Sequence, residues 1–198
     1  MKSGNHLALP TAGRDRGSRA PAPGSLRLVQ ALVNTLNAEL GRDLLGTTAD
    51  ATRWLEAGGL LAADSPLTRA EHGALVELRE AIRQVLGTHT EGRADAEAAR
   101  RLSVALACSR LAPAIDPAGG VALVSADHDP FARVVGSVAI AIAEAGAVGT
   151  WERLKSCPGQ LCGWAFYDRS ASARSRWCSM QVCGARSKMR AYRDRQLG

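Results

Sequence analysis

The chain predicts a mainly α-helical protein, in which a helical N-terminal domain carrying one small β-hairpin is followed by a compact cysteine-rich module of hairpin plus helix. Three observations lead there. Apolar residues recur at three- and four-residue intervals through most of the first 150 positions. Aromatic residues make up only 4% of the 198, so Leu, Val, Ile and Ala must fill the core, which suits packed helices better than stacked strands. Four of the five cysteines fall in the last quarter of the chain as two equally spaced pairs.

Residues 1–25 are rich in Pro, Gly, Ser and Arg without apolar periodicity, and are expected to form a disordered basic arm. Leu28, Leu32, Leu36 and Leu40, flanked by Val29 and Val33, then predict a first helix from Leu26 to a stop at Gly41. Thr47 with Asp50 opens a short second helix that Gly58-Gly59 closes. Thr68 and Glu71 fit a capping box ahead of Leu75, Leu78, Ile82, Val85 and Leu86. An Ala-rich helix follows over 94–107, with Cys108 read as a small buried hydrophobe beside Leu106. Leu111–Ile115 and Val121–Val124, joined by Asp116-Pro-Ala-Gly-Gly120, read as a hairpin. Asp129-Pro130 caps a last apolar helix ending at Gly146 or Gly149, expected to be the most buried. The helical domain thus spans 26–149 and the cysteine module 150–198, with the join near 147–153.

Charge divides along the same line. Residues 151–198 hold ten Lys and Arg against Glu152, Asp168 and Asp194, a net of +7, whereas residues 1–150 carry a net of −1. No stretch reaches the roughly 20 uncharged apolar residues of a membrane span, and no apolar h-region follows the N-terminus. A cytoplasmic protein is expected, whose cysteines serve as metal ligands or free thiols rather than as a disulfide frame.

The pairs read Cys157-Pro-Gly-Gln-Leu-Cys162 and, after fifteen intervening residues, Cys178-Ser-Met-Gln-Val-Cys183. Two like-spaced pairs are what one tetrahedral Zn²⁺ needs, because each turn presents two thiolates and the intervening segment folds back. Buried thiols and disulfides are the competing readings. Trp164–Tyr167 reads as a strand, Asp168–Arg174 as a turn and Ser175–Trp177 as a returning strand, with Ser179 capping a final helix that carries Cys183 in its first turns. Turn, hairpin and helix around one structural zinc make a treble-clef-like arrangement. Trp164, Phe166 and Trp177 are expected to form its small core.

On that last helix Arg186, Arg190 and Arg193 share a face, with Lys188 and Arg195 on its flanks and Arg174 and Arg176 on the preceding hairpin. This basic surface predicts contact with double-stranded DNA, mostly through phosphates. Met189 and Tyr192, on other faces, are read as packing residues. A solvated basic face, or a zinc-stabilised module that binds protein or RNA, is the alternative.

Residues 153–193, from Arg-Leu-Lys-Ser-Cys157 through Trp177-Cys178-Ser179-Met180 to Cys183-Gly184-Ala185-Arg186, resemble the CGNR zinc finger. The region upstream, with Val33-Asn34-Thr35 in its first helix, resembles the helical ABATE domain that precedes this finger in bacterial stress-response regulators. The resemblance implies a zinc-dependent, DNA-binding transcription regulator, cytoplasmic and nucleoid-associated, with the four cysteines as ligands and Arg186 and Lys188 at the family's basic positions. Ala185 stands where the family motif has Asn.

For residues 26–146 the architecture implies a sensor of a small-molecule effector or a homodimerisation unit. Asn34 and Thr35 sit in an apolar helix, where they either line a pocket or bond to a neighbouring helix. Catalysis is not expected. His6, His72, His89 and His128 fall in no catalytic motif, and four thiolates leave a zinc ion no open position.

Overall fold

Where the first helix stops decides how the two parts of the chain meet. The computed structural model describes residues 9–13 and 19–197. Helix α1 is Leu26–Val33, with six of its eight residues buried. It does not continue to Gly41 as the leucine spacing predicts. Asn34 ends it, Leu36–Asn37 (β1) pairs with Arg42–Asp43 (β2), and Leu40 lies on the exposed turn between them. The leucine spacing misled because Asn34, Thr35 and Asn37 are polar groups buried against the rest of the fold. Thr35 Oγ1 donates to the Leu32 carbonyl and accepts from Arg79, and Asn37 donates to the Gly13 carbonyl.

Helix α2 (Thr48–Ala57) starts at a Thr47 cap, and α3 (Arg69–Glu91) at the capping box of Thr68 and Glu71. Gly92 closes α3 with a φ of 67°, in the left-handed region that glycine adopts without strain. Asp95 caps α4 (Ala96–Leu106), β3 (Leu111–Ile115) pairs with β4 (Val121–Ser125), and Asp129 caps α5 (Pro130–Ala147). Helix α1 packs against both α3 and α5, while α4 rests on α3 and the β3–β4 hairpin on α5. Helix α5 buries eight of its 18 residues, so α1 is the more buried. By length and composition α5 could cross a membrane, but Val134, Val135 and Val138 belong to the main core. Cys108 is exposed rather than buried, because the chain has left α4 by that point.

Part of the arm is packed. Ala12 and Ala22 are fully buried, Trp54 Nε1 donates to the Pro10 carbonyl, and the Ala22 N–H donates to the Gln30 side chain. The expectation of a disordered arm over 1–25 is therefore corrected for residues 9–13 and 19–25. Its remainder, with His6, lies outside the described residues.

The main core runs on into the cysteine module. Leu154, Ala165 and Tyr167 share it with the residues of α1 and α3. The Asn34 carboxamide bridges the seam twice: its Nδ2 donates to the Ala165 carbonyl at 2.9 Å, and its Oδ1 accepts from the Ala165 N–H at 2.8 Å. Thr90 Oγ1 donates to the Ser156 carbonyl at 2.7 Å, and His89 Nδ1 lies 2.8 Å from the Leu154 carbonyl. Asn34 thus bonds to a strand, where the sequence suggested a pocket or a neighbouring helix.

Two outcomes follow at this seam. Asn34→Ala strands a buried N–H and a buried carbonyl, so denaturant unfolding should show a loss of about 2–4 kcal/mol; a loss within error of zero contradicts the bridge. Burial pushes the His89 ring below its ordinary 6.5, with the Leu154 carbonyl offsetting this in part. The folded protein therefore favours neutral His89, and its contribution is complete above about pH 6.5 and lost as acid charges the ring preferentially in the unfolded chain. His89→Gln should flatten the stability profile below that pH.

Candidate metal centre

The first cysteine pair sits in the turn of a very short hairpin. A single turn of 3₁₀ helix, Trp151–Arg153, leads into β5 (Leu154–Ser156), which pairs with β6 (Ala165–Tyr167). The register places Ser156 opposite Ala165, and the Cys157 N–H donates to the Trp164 carbonyl at 2.9 Å. Cys157 and Cys162 are thereby turned toward each other at the hairpin tip. The turn is tight: Leu161 and Gly163 both have φ of 57°, and a side chain on Gly159 would lie 3.3 Å from Cys183 Sγ.

The second pair flanks the start of the last helix. Ser179 Oγ accepts the Val182 N–H, a wide turn covers Met180–Gly184, and α6 runs over Ala185–Leu197. Cys178 lies just before the cap and Cys183 at the root of α6.

All four Sγ atoms lie within 4.8 Å of one another. Cys162 to Cys178 is 3.6 Å, and both Cys178 to Cys183 and Cys183 to Cys162 are 3.7 Å. A disulfide needs about 2.05 Å, so these sulfurs are not oxidised pairs. A regular tetrahedron with metal–sulfur bonds of about 2.3 Å has edges of about 3.8 Å. The spacing fits one structural Zn²⁺, and four thiolates close its shell. The thiols of Cys162 and Cys178 donate toward Cys157 and hold its pKa far below the usual thiol range. That thiolate in turn pushes the Cys162 and Cys178 thiols up, so four thiolates at this distance require a cation.

The expected returning strand is absent. Strand β6 pairs with β5, which precedes the first cysteine, and Ser175–Trp177 runs as a loop. A buried ion pair replaces the strand. Asp168, fully buried, accepts from Lys155 Nζ at 3.0 Å, from the Ser175 N–H at 2.8 Å and from the Ser170 hydroxyl at 2.7 Å. Burial alone would raise the Asp168 pKa, yet the bonds from Ser170, Lys155 and Ser175 hold it below the carboxylate range. Lys155 Nζ also donates to the Ala173 and Ser175 carbonyls, which fixes the loop without a strand.

Phe166 is buried against the cysteines with Trp164 and Trp177 packed beside it, the core the sequence predicts. Reasoning from the sequence missed Arg19. Its guanidinium lies 4.8 Å over the Phe166 ring and donates to the Trp177 and Cys178 carbonyls, a link that nothing in a Pro- and Gly-rich arm announces.

Helix α6 leaves the site with Lys188, Arg190, Arg193 and Arg195 exposed and Arg186 bonded to Glu39 at 2.8 Å. Arg174 and Arg176 are exposed on the loop, Arg176 over the Trp177 ring. Met189 and Tyr192 are 56% and 54% exposed, so they are not the packing residues expected: past its root α6 meets no core.

Comparison with known proteins agrees with this geometry. The family model described as "CGNR zinc finger" matches residues 153–196. The model named ABATE, described as "Putative stress-induced transcription regulator", matches residues 26–148. No curated protein matches the chain.

Because β5 and β6 share the main core, the metal is best tested in the full chain. One zinc per chain is expected, and its removal by chelator should loosen the turn and the root of α6, read as a change in Trp164 and Trp177 fluorescence, while helical signal from the N-terminal domain persists. Cys178→Ser should reproduce that change; a chain indifferent to chelator contradicts the assignment.

Proposed function

Since the chain belongs to the ABATE family of transcription regulators and ends in a CGNR zinc finger, we propose that it regulates transcription by holding double-stranded DNA against its zinc-supported C-terminal helix. One observation carries the reading. Helix α6 is anchored at its root by a metal site and projects with every side chain from Lys188 to Gln196 exposed, four of these nine being Lys188, Arg190, Arg193 and Arg195, with Arg186 just before them in the same run of charge. A helix without a buried face has no structural use for such a stripe, whereas a phosphate backbone does. Arg174 and Arg176 extend the basic surface onto the neighbouring loop.

In this reading the protein works in the cytoplasm at the nucleoid and carries no catalytic role. Its helical domain senses a small-molecule effector or pairs two chains into a homodimer. The β3–β4 hairpin supports pairing, because neither strand has a charged residue and Ile115 and Val121 are left exposed.

The exposed Met189 and Tyr192 favour a second reading, a zinc-stabilised module that binds protein or RNA. Salt separates the two. Binding of the zinc-loaded chain to mixed-sequence duplex DNA should fall steeply with ionic strength, and Arg190→Gln with Arg193→Gln should reduce the logarithmic salt slope by about two. An unchanged slope removes α6 from the interface.

A further inference from the structure

Helix α6 and the first cysteine turn do not pack flush. Between them lies a notch of about 40 Å³ bordered by Gln160, Trp177, Arg186, Ser187 and Arg190 among others, and no acidic residue lines it. Arg186 and Arg190, one helical turn apart, therefore border the same small space together with Ser187. One water-sized group needs roughly 10–15 Å³ of such room, so the notch admits the oxygens of one phosphate and not the plane of a base. Planar guanidinium forks suit an oxyanion, and the positive end of the α6 dipole lies at the same root.

An oxyanion is already at this edge. Glu39, on the turn between β1 and β2 of the helical domain, accepts from Arg186 at 2.8 Å. A carboxylate and a phosphate present like oxygens to the same fork, and Arg186 cannot satisfy both fully.

We propose that the notch beside the first cysteine turn takes one phosphate group of the nucleic-acid backbone, held by Arg186, Ser187 and Arg190, and that Glu39 competes with that phosphate for Arg186. The inference rests on the DNA-binding reading and deepens it. It gives the helical domain a direct hand on the finger, because the position of the β1–β2 turn sets how freely Arg186 is offered.

The test uses the zinc-loaded full chain and a short mixed-sequence duplex, followed by fluorescence anisotropy across a salt series, with zinc content as the check of fold. Glu39→Gln should bind duplex about two- to five-fold tighter at low salt. Made in an Arg186→Gln background, the same change should leave affinity where Arg186→Gln alone puts it. Arg190→Gln should weaken binding and lower the salt slope by about one. Equal tightening with and without Arg186 would mean that Glu39 acts only through the general field, and no tightening would mean that it does not compete; either overturns the inference while leaving the DNA reading intact. Failure of both wild type and Glu39→Gln to bind duplex at any salt overturns the DNA reading and this one with it.

Discussion

Two strands of three residues each cannot hold themselves together in water, and the cysteine turn keeps its shape only while β5 and β6 stay paired. Their support comes from outside the module. Along the outer edge of β6 Asn34 bonds Ala165 as a neighbouring strand would, and along the outer edge of β5 Thr90 and His89 reach the carbonyls of Ser156 and Leu154. At the turn end the metal draws Cys157 and Cys162 together with Cys178 and Cys183. The hairpin is thus held along its edges and at its turn by different physics. One clamp is a set of buried hydrogen bonds whose loss would leave polar groups without partners, and the other is a metal whose thiolates cannot coexist without it.

The same arrangement sorts the positive charge. Of the ten basic residues after residue 150, Arg153, Lys155 and Arg169 bond to carbonyls or carboxylates of the fold itself. Arg174, Arg176, Lys188, Arg190, Arg193 and Arg195 are exposed, as is Arg186, which also bonds the Glu39 carboxylate. Lys155 shows why the division matters: a buried ammonium paired with Asp168 organises the loop before Cys178 but adds nothing to an external field. The charge available to a polyanion is concentrated on α6 and the loop beside it, which sharpens rather than dilutes the field along one direction.

Much of this was legible in the sequence wherever local chemistry decides the structure. The caps at Thr47, Thr68 and Asp129 set helix starts through bonds to residues three positions on, and a reader of the sequence can see both partners. The cysteine pairs were legible for the same reason. Long-range partnership was not. The leucines at 36 and 40 continued a helical spacing that Asn34 broke by bonding Ala165, a residue 131 positions away. Strand β6 pairs with β5, and the Lys155–Asp168 pair holds the loop where the sequence suggested a returning strand. Arg19 and Glu39 lie far from the module in sequence, and only the packing of the arm and of the β1–β2 turn brings them to it.

Ala185, where the family motif has Asn, can be placed in this scheme. It is the first residue of α6, helical in conformation and exposed, two residues past Cys183. The turn ahead of it is already capped by Ser179. The metal centre therefore has no need of a polar side chain at this position, which agrees with four sulfurs at tetrahedral spacing in its absence. What the alanine removes is a hydrogen-bonding group from the surface at the root of α6, beside Arg186. Its effect falls on whatever docks there: contacts made through charge persist, and any contact made through an amide at that position is lost.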